Sequence, residues 1–188
     1  DLLKSLLLVY KHWDPSLNLN LLEKQINSLA SSAKNRIRYI NNPKDVIDAL
    51  RSLIHEVNGY TYTDQVDERG VPINSEELFL HGLLKTKKGY CMNLSLLYLI
   101  LGQKLDLPLF GVPLPNHFFV RYLSEGERIN IETTEKGASY PDSFYQNRFR
   151  ALTGNKNFYF MKNLNSKQTL GAYFSNIGMV YYKNKNPE

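Results

Sequence analysis

The stretch KTKKGYCMNLSLLYLILGQKLDL, running from Lys85 to Leu107, constrains this chain more than any other. Past Cys91 it distributes Leu94, Leu96, Leu97, Leu99, Ile100 and Leu101 nearly all the way round a helical wheel. A helix that is apolar on every side has no face to offer water, so it must run through the middle of a domain. Asp106-Leu107-Pro108 ends it. Ahead of it, Gly89-Tyr90 makes a turn that hands Cys91, the only cysteine, to the helix N-terminus. The helix dipole and the free N–H groups there favour a thiolate, whereas the bland alternative is a small buried hydrophobe. On this stretch alone both readings stand.

A chain of 188 residues is long enough for one domain with a real core and a small appendage. With 43% hydrophobic and 22% charged residues it reads as globular rather than disordered. Lys4 and Lys11 interrupt the apolar N-terminus, so neither a membrane span nor a signal peptide is expected there. The first residue is Asp1, not Met, which leaves a cytoplasmic protein and one exported after removal of an N-terminal segment equally open. One cysteine rules out an intramolecular disulfide and a cysteine-based zinc site. The four histidines are dispersed and no acidic calcium loop occurs, so no metal or cofactor is expected. The net charge of +5 comes partly from Lys85, Lys87 and Lys88; with no nucleic-acid motif beside it, it reads as solubilising surface.

The front third predicts helices. Leu3, Leu6, Leu7 and Tyr10 form an amphipathic stripe ending at Asp14-Pro15. Asn20 with Glu23 resembles a capping box for a helix over about 21–39, and Asn42-Pro43 opens a third helix that Gly59 ends. His12 and His55 lie in these helices without a partner at ligand spacing, and read as structural. Residues Tyr60–Ile73 read as a loop, and Glu76–Leu84 as a short helix carrying His81, read as a satisfied histidine.

After the central helix the period changes. LPLFGVPL (Leu107–Leu114), HFFVRYL (His117–Leu123) and INIETT (Ile129–Thr134) read as strands, with Ser124-Glu125-Gly126-Glu127 as a hairpin loop. A hairpin closing symmetrically about Glu125-Gly126 sets Phe119 opposite Glu132 and His117 opposite Thr134. Side chains alternate, so His117, Phe119, Arg121, Asn130, Glu132 and Thr134 share one face, and His117 and Glu132 become diagonal neighbours. A loop one residue longer or shorter would separate them. A cysteine at a helix start, a histidine at a strand start and a carboxylate on the paired strand supply the parts of a thiol triad.

The block GYCMNLSLLYLILGQKLDLPLFGV…PNHFFVRY…INIETT resembles the transglutaminase-like superfamily of papain-like fold, in its small prokaryotic branch. The resemblance covers about Asn74 to Gly137 closely and the helical lead-in more loosely. It implies an α+β fold: a papain-like/transglutaminase-like core with a helical N-terminal half packed on a short antiparallel sheet, and a C-terminal helix. It puts the nucleophile on Cys91, the base on His117 and the orienting acid on Glu132, where aspartate is commoner in the superfamily. It implies cysteine-dependent acyl transfer on amides of a protein or peptide substrate; the alternative is an inactive peptide-binding module. Asn74, with the Cys91 N–H, is a candidate oxyanion donor, or else a helix N-cap. Tyr90 is a candidate cleft wall. Arg121 would bind a substrate carboxylate or pair with Glu127 or Glu132.

Beyond a short helix at Pro141–Arg148, a Gly-Asn-Lys-Asn turn and an aromatic strand Phe158–Phe160, the helix Leu170–Lys183 carries Phe174, Ile177, Gly178 and Tyr181. That spacing resembles the first helix of a tetratricopeptide repeat, with Phe for the usual Trp, and the superfamily branch is commonly joined to such repeats. The implied organisation is a domain over 1–165, with lead-in 1–59 and core 74–137, then a truncated repeat over 166–188 that could recruit a protein partner. An ordinary amphipathic helix is the other reading.

Overall fold

The computed structural model describes residues 1–124, 126–149 and 160–185. Its centre is α5 (Cys91–Lys104), in which every residue from Met92 to Gly102 is buried. The leucines at 94, 96, 97 and 101 are fully enclosed. On one side lie α1 (Leu2–Trp13), α2 (Leu19–Ile37), α3 (Pro43–Arg51) and α4 (Leu80–Thr86), whose stripes Leu6, Ile26, Leu50 and Leu83 join the same core. The structure caps α2 with Asn18, whose side chain accepts from Leu21 N at 2.9 Å, rather than with Asn20. The helix therefore starts earlier while keeping the same buried stripe. After α3 the chain widens into a π-helical turn, Ser52–Val57, that buries His55 against the Tyr60 carbonyl.

On the other side of α5 lies a three-stranded antiparallel sheet in the order β3 (Leu109–Leu114), β4 (His117–Ser124), β5 (Glu127–Ile131). The pairs Ser124↔Glu127, Arg121↔Asn130 and Val120↔Ile131 give the register expected from symmetric closure, although Glu125 itself lies outside the described residues. Phe118, Val120, Tyr122 and Ile131 face α5, and Phe119 faces a smaller apolar cluster with Val112, Leu114 and Tyr145. Two expectations are corrected. The stretch read as a loop contains β1 (Thr61–Tyr62), paired in parallel with β2 (Lys88–Gly89) directly ahead of Cys91. The last strand stops at Ile131, because the Glu132 carboxylate accepts from Thr134 N and Oγ1 and turns the chain into a 3₁₀ helix, Thr133–Glu135.

The short helix α6 (Asp142–Arg148) appears where expected, while the Gly-Asn-Lys-Asn turn and Phe158-Tyr159 lie outside the described residues. The last helix, α7 (Ser166–Lys185), packs on α1 and buries Tyr173 and Ile177. Among the described residues no helix is long and apolar enough to cross a membrane.

Candidate active site

Cys91 is the first residue of α5 and only partly buried. The β1–β2 pair fixes the chain leading into it: Thr61 N donates to Lys87 O at 2.9 Å and Thr63 N to Gly89 O at 3.0 Å. Gly89 is required on steric grounds, since a Cβ there would lie 2.6 Å from Asn93 Oδ1 and 2.9 Å from Leu83 Cδ1. Asn93 in turn donates to the Glu77 carbonyl at 2.6 Å and the Phe79 carbonyl at 3.3 Å, tying α5 to the segment before α4. Tyr90 takes the N-cap position without a side-chain cap. The N–H groups of Cys91, Met92 and Asn93 therefore have no partner within the helix, whose first turn closes with Leu94 N donating to Tyr90 O.

His117 opens β4, and its Nε2 lies 2.8 Å from Glu132 Oε2. With Nε2 on the carboxylate, Nδ1 is the ring nitrogen left for the neighbouring Cys91, whose proximity supports the charged ring. It stacks on Phe149, with centroids 5.5 Å apart and planes 9° from parallel. The second Glu132 oxygen accepts from Thr134 N at 3.1 Å and Thr134 Oγ1 at 2.6 Å, so both oxygens are oriented. Thr133, beside it, bonds Ser95 at 3.1 Å and donates to the Cys91 carbonyl at 3.5 Å, fastening the carboxylate turn to α5.

Burial opposes the charge on His117, but the neighbouring Cys91 and the hydrogen-bonded Glu132 carboxylate outweigh it, lifting the pKa from 6.5 to about 9. Burial likewise opposes ionisation of Glu132. The bond and charge of His117, with the Thr134 bonds, outweigh that penalty and hold the carboxyl below its usual 4.5. Tyr145 is buried near this carboxylate. Desolvation first, and the Glu132 charge second, push its ionisation up, while its contact with Glu132 falls short of a well-formed hydrogen bond. On the other side of the thiol, burial and the Cys91 charge raise the pKa of Tyr62.

Cys91 and His117 line a cleft of about 470 Å³, within the size range of small-ligand sites. Its apolar wall is Met92, Pro113, Leu114 and Phe118; facing these, α7 contributes Gln168, Gly171, Ala172, Ser175 and Asn176. The spacing of those five puts them on one helix face.

The structure thus brings Cys91, His117 and Glu132 together and leaves the three secondary candidates outside the cleft lining. Asn74 caps the 3₁₀ helix Ser75–Leu78, accepting from Glu76 N at 3.1 Å. The Tyr90 hydroxyl donates to the Gln65 carbonyl at 2.7 Å and its ring meets Tyr62 edge-on. Arg121 is 3% exposed, and its donors are engaged by Asn130, Met161 O, Asn163 and Asp142. It pairs with Asp142, not with Glu127 or Glu132, because the α6 N-terminus brings that carboxylate onto the same sheet face. Sequence reasoning missed Thr133, Thr134 and the α7 residues. The Glu-Thr-Thr run carried a local signal for the first two, since a threonine two residues past a carboxylate can cap it. The small polar face of α7 carried none.

The family model of the transglutaminase-like superfamily matches residues 20–171. The chain belongs to that superfamily, with its α+β fold. Among curated proteins it is 31% identical to Protein SirB1 of Salmonella typhimurium over 104 residues, covering 55% of this chain and 37% of SirB1. It is 29% identical to human F-box only protein 21 over 86 residues, covering 44% of this chain and 14% of that protein. The matched region is well under half the length of either relative. A solved TGase crystal structure superposes with a TM-score of 0.48 at 13% identity, over 87% of this chain and 50% of its own.

Proposed function

We propose that this domain performs cysteine-dependent acyl transfer on amides of a protein or peptide substrate, with Cys91 as nucleophile, His117 as base and acid, and Glu132 as orienting anion. The Cys91 proton passes to His117, and the sulfur attacks the amide carbonyl carbon. The oxygen of the tetrahedral intermediate takes up negative charge at the N-terminus of α5, where the Cys91 N–H and the helix dipole favour it. As the C–N bond breaks, the His117 imidazolium gives its proton to the departing amine, leaving a thioester on Cys91. Water resolves the thioester in hydrolysis or deamidation; an amine resolves it in cross-linking. Glu132 keeps its charge throughout and stabilises the imidazolium.

The reading rests on one observation: His117 lies 2.8 Å from the Glu132 carboxylate, neighbours Cys91 and lines the same open cleft as the thiol. Membership of the superfamily supports the same class of chemistry. Alkylation at neutral pH tests it. Native Cys91 should react far faster than the denatured thiol, and His117→Ala should abolish the difference. Equal rates in native and denatured protein, or an unchanged rate in His117→Ala, would sink the triad. A screen of glutamine-containing and peptide substrates, with and without an added amine, then separates the three outcomes.

A further inference from the structure

A second cavity, of about 200 Å³, lies where the end of α1, the segment leading into α4 and the last turns of α7 meet. Its walls are aromatic. Trp13 meets Phe79 edge-on at 5.2 Å and 89°, and leans against Tyr181 at 5.9 Å and 45°. Trp13 and Tyr181 remain 44% and 40% exposed. Two carboxylates, Asp14 and Glu76, belong to the lining, in which the described residues include no lysine or arginine. Hydrogen bonds from Ser16 hold Asp14 below the usual carboxylate range, so it is ionised near neutral pH. His81, stacked on Phe79 at 5.3 Å, turns a buried Nδ1 toward no protein partner. Burial lowers its pKa and so favours the neutral ring, which adds no positive charge to the lining.

These features select a ligand by chemistry. Two carboxylates disfavour an anion, and a purely apolar group has no use for them. A cation carried on an apolar stem uses both kinds of group: ring faces attract it and Asp14 neutralises it. The volume lies below the roughly 300 Å³ at which pockets for drug-sized ligands begin, so it suits one side chain. We propose that this cavity binds the alkylammonium group of a lysine side chain on a partner polypeptide. Glu76 is already paired with Lys85 at 2.9 Å, so Asp14, which has no ion pair among the described residues, is the carboxylate left to take the ligand's charge.

Trp13 is the only tryptophan, so its fluorescence reports on this cavity alone. The probes are N-acetyl-lysine methylamide, its Nζ-trimethyl form and the neutral N-acetyl-norleucine methylamide. The lysine probe should shift Trp13 emission saturably, with a Kd in the millimolar range or tighter, and bind about tenfold more tightly than the norleucine probe. Asp14→Asn and Tyr181→Ala alter exposed groups, and each should weaken the lysine probe several-fold while leaving the thermal melt in place. Cys91→Ala should leave it unchanged, which separates this site from the proposed triad. A norleucine probe that binds as well as lysine, or no saturable shift with either cation, overturns the proposal. If the trimethyl form binds better than lysine, ring faces dominate; if worse, donation to the carboxylate does, and the site stands in both cases.

Discussion

Tyr10 and Tyr173 join their hydroxyls at 2.8 Å, linking α1 to α7 inside the core. The bond belongs to a chain. Leu80 N donates to the Tyr10 oxygen at 3.1 Å, and the Tyr173 hydroxyl donates to the Leu78 carbonyl at 3.3 Å, so Tyr10 must donate to Tyr173. Both residues are at most 1% exposed. Removing one hydroxyl therefore strands its neighbours away from water. Tyr10→Phe should lower stability by about 1–3 kcal/mol in denaturant unfolding, the cost of an unsatisfied buried group. A loss under about 0.5 kcal/mol would mean that water or a repacked side chain replaces the bond.

Glu132→Gln removes the anion behind His117 and keeps the side chain's shape. The imidazole pKa should fall from about 9 toward its ordinary 6.5. An NMR titration of the His117 ring signals reads this directly. The same variant should slow any acyl transfer by about 10²–10⁴-fold, the range for losing a positioned acid–base group. A pKa that stays near 9 would show that Cys91 alone holds the proton.

Stability should depend on pH through this pair. The folded pKa of His117 lies above its unfolded value, so its contribution is fully present below about 6.5 and is lost as pH rises through about 9. The folded pKa of Glu132 lies below its unfolded value, so its contribution is present above 4.5 and is lost as pH falls through the folded value. Urea unfolding across this range should show the pair stabilising most between about 4.5 and 6.5, and His117→Gln should flatten the alkaline limb. A wild-type limb as flat as the variant's would refute the linkage.

Gly171 lines the cleft from α7, and among the described residues nothing lies within 4 Å of a Cβ added there. A larger side chain should enter without a clash and, having replaced a helical glycine, should stabilise α7 by up to about 1 kcal/mol. Gly171→Leu should leave labelling of Cys91 by a small alkylating agent intact, slow labelling by a bulky one, and raise KM for peptide substrates. A bulky reagent that still reacts at the wild-type rate would place the substrate path elsewhere.

Much of this site could be read from the sequence because its determinants are local. His117 and Glu132 are separated by a short hairpin whose register follows from its loop, and the helix after Cys91 declares its burial through its all-round leucines. Arg121 shows where that ends. Its face was legible, but its partner Asp142 belongs to a helix that the sheet pattern does not position. The β1–β2 pair has two residues per strand, too few for any alternation to register. Asn18 and Asn20 are equally good caps, and only the packing of α2 chooses between them. Nothing local tells Gln168 and Ser175 that they face a thiol.

The order in which the cleft is assembled follows from the placement of α7. Cys91, His117 and Glu132 all leave the ribosome before Gln168, so a growing chain holds thiol, imidazole and carboxylate while one wall is still missing. The central helix and the hairpin can close around each other early, and α7 docks afterwards through Tyr173. Synthesis itself thus delays the finished cleft: the thiol is made first, and the wall across from it is made last.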